Sequence, residues 1–294
     1  MTWGIRDLLP IGSVLASVAL LYAGVLRDLV RDWASDDNYS HGFLIVPIAA
    51  YLVWERRHVL RTAPRTPSVF GLVAVAVGLL LLVAGTLGAE LFLTRLSMLW
   101  ILAGAVLFVA GWRHLRILLF PLAFLLLMIP VPAILFNQIA FPLQLFASQV
   151  GAAGLGTLDI PVLREGNVIV LASITLEVAE ACSGIRSLVS LMTLGIVLGY
   201  LVDSRFWVRA TIALATIPIA VVANGFRVAG TGIAAHYYGV AAAEGFMHTF
   251  SGWLMFVVAI GLLLLVQQIL VRVFPERQAP QSRLVPDQGA TLGV

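Results

Sequence analysis

The nineteen residues 69–87 contain no charged side chain, and the run 91–111 contains only Arg95 and no other ionised group before its end. A helix needs about 17–25 mostly apolar residues to cross the hydrocarbon core of a bilayer. Runs of this kind recur along the chain, and a bilayer is the solvent in which such surfaces are stable. Composition agrees: 61% of the 294 residues are hydrophobic, 11% are charged, and mean hydropathy is +1.01. Soluble domains carry about 25% charged residues, so this chain lacks the polar side chains to cover a water-facing surface. A single span attached to a soluble domain is excluded, because no long stretch has globular composition. The backbone of a spanning segment must satisfy its own hydrogen bonds, and the expected fold class is an all-α polytopic membrane protein.

Eight spans are expected, at 8–26, 42–54, 69–87, 91–111, 115–136, 183–202, 207–235 and 252–273. The first lacks a small-residue cleavage site and is followed by further spans, so it reads as a retained helix rather than a signal peptide. The second is short for a crossing unless it recruits Tyr39 and Ser40. In the fifth, Pro121, Pro130 and Pro132 should kink the helix or end it early. Residues 1–274 form the transmembrane domain, and the Pro- and Gln-rich residues 275–294 are expected to be a disordered tail.

Net charge is +3 and all 18 basic residues are arginine. They stand in short patches beside apolar spans, which argues for a role in orientation and against nucleic-acid binding. Eight spans place both termini on one side, and that side collects twelve of the 18 arginines. The other side keeps Arg27, Arg31, Arg95, Arg164, Arg186 and Arg227, with ten of the 15 acidic residues. Basic loops stay in the cytoplasm, so both termini are expected there. One cysteine precludes an internal disulfide and a multi-cysteine metal site. With no HExxH string and no acidic–histidine cluster, no metal and no cofactor is expected.

The longest connection on the non-cytoplasmic side, about 137–182, is expected to be an insertion built in two parts. Gln138, Gln144 and Gln149 among bulky apolar residues suggest an amphipathic helix over 137–150 at the interface. Val162 and Leu163, a turn at Glu165, Gly166 and Asn167, then 168–171 and 175–178, suggest a small β-hairpin or three-strand ribbon. Its last strand leads to Glu180, Ala181 and Cys182 at the mouth of the sixth span.

Cys182 sits where a loop becomes a helix. The helix N-terminus stabilises a thiolate, and the thiolate is the nucleophilic form. Ser183 and Gly184 follow, and free amides of the first turn can donate to an oxyanion. A free cysteine is also among the most buried residue types, and that structural alternative stays open. Arg227, in an apolar helix, is a functional candidate by default; snorkelling to headgroups is its alternative. Asn224, one turn earlier, is placed to hold the guanidinium. His248, before the eighth span, can accept a proton from a thiol and return it to a leaving amine. Glu177, Glu180 and Arg186 bracket the cysteine, either to bind substrate or to form local ion pairs. His41 and His236 share the same side; His58 and His114 lie across the membrane. Cys182, Arg227 and His248 all fall at one end of three consecutive spans. Nucleophile, proton carrier and fixed cation are the requirements of thioester-forming acyl transfer.

The strings EVAEACSGIRSL (177–188), NGFRVAGTG (224–232) and GFMHTFSGW (245–253), with YSHGFLIVP (39–47), resemble the exosortases, bacterial membrane-embedded counterparts of sortases, and most resemble the exosortase A branch. The resemblance implies a cysteine peptidase or transpeptidase of the inner membrane. In it Cys182 is the nucleophile, Arg227 the stabilising cation and His248 the acid/base. Its substrates are exported proteins with a C-terminal Pro-Glu-Pro signal, a transmembrane anchor and a basic tail. Water or an amine would resolve the thioacyl intermediate, and exopolysaccharide machinery is an implied associate. The competing class is a non-catalytic component or transporter of exopolysaccharide biosynthesis. A transporter predicts polar groups near the bilayer midplane; here they gather at one face.

Overall fold

The computed structural model describes residues 5–172, 175–178, 185–203, 205–239 and 246–275; side chains are described within these except for 5–11 and 246–249. The expected tail beyond Pro275 lies outside the described residues. The fold is helical with one small sheet, as expected. Helices α1 (Ile5–Leu21), α2 (Ala23–Ser35), α3 (Gly42–Glu55), α4 (Arg57–Thr62), α5 (Phe70–Leu87), α6 (Leu91–Val109) and α7 (Trp112–Phe124) make up the first half. A 3₁₀ turn (Leu125–Met128) leads to α8 (Ala133–Gly156), strands β1 (Val162–Glu165), β2 (Val168–Leu171) and β3 (Thr175–Glu177), then α9 (Ile185–Val202), α10 (Phe206–Tyr238) and α11 (Phe246–Val273).

Among the described residues, six helices are long and apolar enough to cross a membrane, or seven if the bent pair α1–α2 counts as one span. The expected eight spans are therefore redrawn in three places. The first does not run straight through 8–26, because α1 and α2 meet at a bend of 69°. Tyr22 stands at that bend, fully buried, with its hydroxyl hydrogen-bonded to Ser97 at 2.8 Å. Beyond it α2 is amphipathic: Leu29 and Trp33 are buried, and Asp32 receives a 2.5 Å hydrogen bond from Arg95, which is only 2% exposed. The second, α3, remains short at 14 residues. The fifth ends early, as its prolines require.

The break after α7 organises the first half. Pro130 and Pro132 carry no N–H, so the carbonyls four residues before them lose their helical donors. Side chains from the amino-terminal third take the carbonyls of this segment. Trp33 Nε1 donates to Met128 O at 2.9 Å, His41 Nε2 donates to Leu127 O at 3.1 Å, and the Tyr39 hydroxyl donates to Val131 O at 3.3 Å. The Trp33 ring lies so close over Gly42 that a Cβ there would collide with it.

The 24-residue α8 is longer than the interfacial helix expected over 137–150, and by length and composition it qualifies as a span. Its start and the start of α9 nevertheless lie at one end of the molecule. Val131 is bonded to Tyr39, and Arg186 forms an ion pair with Asp37 at 3.2 Å. We call this the sheet end. The expected ribbon is present as a three-stranded antiparallel sheet in the order β1-β2-β3, with Glu165 opposite Val168 and Ile169 opposite Leu176. Gly166 makes the turn with φ +64°. Ile169, Leu171 and Val178 pack with Ala147 and Leu155 of α8 and Val228 of α10. An isolated ribbon of this size is marginal in water; burial of its apolar face against these helices stabilises it.

At the opposite end, Tyr200 of α9 stacks on Phe120 of α7 at 3.7 Å between ring centroids. Arg56 and Arg209 lie over the same ring at 5.3 and 4.7 Å. Asp203, between α9 and α10, binds Arg205 at 2.6 Å, and Arg205 reaches the carbonyl of Phe274 just past α11. The side-chain hydrogen bond from Arg205 holds the Asp203 carboxyl below its ordinary range.

Candidate functional site

Glu180, Cys182 and Ser183 lie outside the described residues, but the chain is anchored on both sides of them. Before them, Val178 is 2% exposed and its N–H donates to Asn167 O at 2.9 Å. After them, α9 begins at Ile185, buried at 3%, and Arg186 pairs with Asp37. Asp37, in the loop before α3, was not among the acidic residues that sequence reasoning placed around the cysteine. Glu177 sits on β3 opposite Val168, with its side chain exposed.

Helices α9, α10 and α11 pack through Leu191, Val208, Ile212, Ala220, Ala223, Ala259 and Leu263. Small residues permit close approach: a Cβ on Gly195 would come within 2.6 Å of Thr216 Cγ2, and one on Gly199 within 3.1 Å of Arg209 Cα. Above this core a small cavity opens between the three helices. Ser187 of α9, Asn224 and Arg227 of α10, and Gly252 and Met255 of α11 line it. Arg227 is half-buried, and its guanidinium lies against Gly252, where a built Cβ would be 3.3 Å from both Cζ and Nη2. Asn224, 5% exposed, lines the same cavity.

Position 248 lies on α11 one helical turn before Gly252, and i,i+4 positions share a helix face. The side chain of His248 is outside the description. The structure thus brings Arg227 and Asn224 together, and it brings the helix of His248 against Arg227. His41 is elsewhere: it is buried against the 3₁₀ turn through its bond to Leu127. His236 is exposed near the end of α10, edge-on to Tyr237. Among the described residues, no group of three or more His, Cys, Asp or Glu side chains is placed to hold a metal ion.

Sequence reasoning missed Asp37, Ser187 and Gly252. The first two carry no local signal. Gly252 did: it follows His248 at one-turn spacing inside GFMHTFSGW.

The cavity surrounds a cation with apolar walls, where water is scarce and the field of a charge is less screened than in bulk. Such a site favours negative charge developing nearby. Fold and site together define a multi-pass membrane protein with a small arginine-bearing cavity between its last three helices. A family model described as transmembrane exosortase matches residues 33–265. The chain belongs to the transmembrane exosortase family. No curated protein matches it, and no solved structure does.

Proposed function

We propose that this exosortase is a cysteine peptidase or transpeptidase that removes the C-terminal sorting signal of exported, membrane-anchored proteins. The observation that carries the reading is the packing of Arg227 against α11, one turn from position 248, beside the helix that begins three residues after Cys182. In the reaction the Cys182 thiol gives its proton to His248, and Sγ attacks the scissile carbonyl carbon. The carbonyl oxygen takes the electron pair, and Arg227 stabilises the resulting oxyanion. Collapse breaks the C–N bond; His248 returns the proton to the leaving amine, and a thioacyl-enzyme remains. Water or an acceptor amine then attacks the thioester and regenerates the thiol.

The arginine asymmetry supports an inner-membrane orientation with both termini cytoplasmic and the sheet end facing the periplasm. A substrate with a Pro-Glu-Pro signal, an anchor helix and a basic tail would keep that tail in the cytoplasm by the same rule. Its cleavage motif would then meet the sheet end. Association with exopolysaccharide machinery belongs to this reading.

The test is substrate processing, followed by gel mobility with a co-expressed protein bearing such a signal. Cys182→Ala is expected to abolish processing while the protein stays at its normal level in the membrane. Unchanged processing by that variant would eliminate the cysteine mechanism and favour a non-catalytic or transport role.

A further inference from the structure

We propose that Gly252 is a positioning residue for Arg227: its missing side chain lets the guanidinium lie on the backbone of α11 and so sets the distance between the cation and position 248. The inference rests on the cysteine-peptidase reading for its catalytic consequence, though not for its geometry. A Cβ at 252 would stand 3.3 Å from Arg227 Cζ, 3.3 Å from Nη2 and 3.6 Å from Nε. All three nearest atoms belong to the guanidinium, and none to backbone or to another side chain. Contacts this short force the neighbour to move by a few tenths of an ångström, and here the nearest neighbour is the cation itself. Displacements of this order at a charge-stabilising group cost rate rather than binding.

The rest of α11 sharpens the contrast. Gly261, two and a half turns further along, has nothing within 4 Å of its built Cβ. A glycine inside a helix lowers its stability relative to alanine, so both positions should gain helix propensity on substitution. Only position 252 should lose function. The arrangement also suggests how a flexible side chain on one helix is registered against another: the guanidinium occupies the space that a side chain at 252 would take.

The experiment uses the full-length protein in membranes, with Gly252→Ala and Gly261→Ala compared for level, processing kinetics and arginine accessibility. Gly252→Ala is expected to lower kcat about tenfold with KM within about twofold, whereas Gly261→Ala matches wild type. In an Arg227→Ala background, Gly252→Ala should change the residual rate by less than about twofold, because the two act as one unit. Phenylglyoxal modification of Arg227, read by peptide mass spectrometry against exposed Arg164, should rise at least about threefold in Gly252→Ala.

Wild-type kinetics and wild-type Arg227 reactivity in Gly252→Ala would overturn the proposal. So would an equal loss of rate with and without Arg227, or a fall in membrane level beyond that of Gly261→Ala, since either means ordinary helix packing. If Cys182→Ala processed substrate normally, the catalytic reading would fail by itself. The phenylglyoxal comparison would still decide whether Gly252 positions the cation.

Discussion

Arg95 and Arg227 are both arginines in apolar helices, yet the structure gives them different work. Arg95 is 2% exposed and bound to Asp32, an ion pair that ties α6 to the bent amino-terminal helix. Removing one partner of a buried pair leaves an uncompensated charge. Asp32 itself keeps 36% side-chain exposure, so water offsets part of the loss. Asp32→Asn is expected to lower stability by about 2–3 kcal/mol, measured by thermal unfolding in detergent, with little effect on the cavity at Arg227. Arg227, by contrast, lines a cavity at the sheet end of the last three helices. Arg227→Lys keeps the charge but replaces a planar fork with a point charge. Processing is expected to fall at least about tenfold while membrane level is unchanged; a variant as active as wild type would remove Arg227 from the reaction.

At the scale of elements, the α5–α6 hairpin shows what glycine spacing does in an apolar pair. Gly71, Gly78 and Gly85 recur every seven residues and face Phe108, Ile101 and Thr94. A Cβ on Gly78 would fall 2.5 Å from Ile101 Cγ1. Gly78→Leu should therefore overpack the interface and cost about 1–3 kcal/mol, visible as a lower unfolding temperature without loss of helix content. This hairpin was legible beforehand, because each helix is one uninterrupted apolar run and Glu90 caps the second through the Leu93 amide at 2.6 Å. The ribbon was legible for a similar reason: alternation on both sides of Glu165, Gly166 and Asn167 allows one register. The bend at Tyr22 was not. It depends on Ser97, 75 residues away, which local pattern cannot register. The length of α8 was misjudged because its polar residues suggested a wet face. Gln144 is in fact buried, and Ser148, also buried, donates to Gly166 O at 2.8 Å, so part of the helix's polar side is turned inward rather than to water. For the site, the order Cys182, Arg227, His248 was readable from the strings, but the support under Arg227 needs the crossing of α10 and α11.

Across the whole molecule, the two ends differ in chemistry. The sheet end carries the cavity and the anchors of the Cys182 segment. The opposite end carries Arg56, Arg205 and Arg209 around Tyr200 and Asp203, joining the first half of the chain to the last three helices. Asp203 is held below its ordinary range by Arg205. Its folded form therefore binds fewer protons than the unfolded chain. The stabilisation is fully present above the usual aspartate value of about 3.9 and is lost as pH falls through the lowered folded value. Asp203→Asn should unfold at a lower temperature than wild type at pH 7, and the gap should narrow as pH drops below about 3.9. A gap that stays constant down to pH 3 would show that the carboxylate charge is not what stabilises this junction. Sidedness is tested by an impermeant maleimide on spheroplasts and on inverted vesicles. Labelling of Cys182 from the spheroplast side is expected, and labelling only in inverted vesicles would reverse the orientation.

The proline-broken turn at 125–132 also bears on how the chain is made. Trp33, Tyr39 and His41 find their acceptors on residues 127, 128 and 131. A ribosome must therefore add most of a hundred residues before these three donors can be satisfied. Until then the leading helices enter the bilayer with polar groups that need other partners, from water, lipid or an insertion factor. The amino-terminal third cannot mature in the order in which it is synthesised; it has to wait for the middle of the chain to arrive.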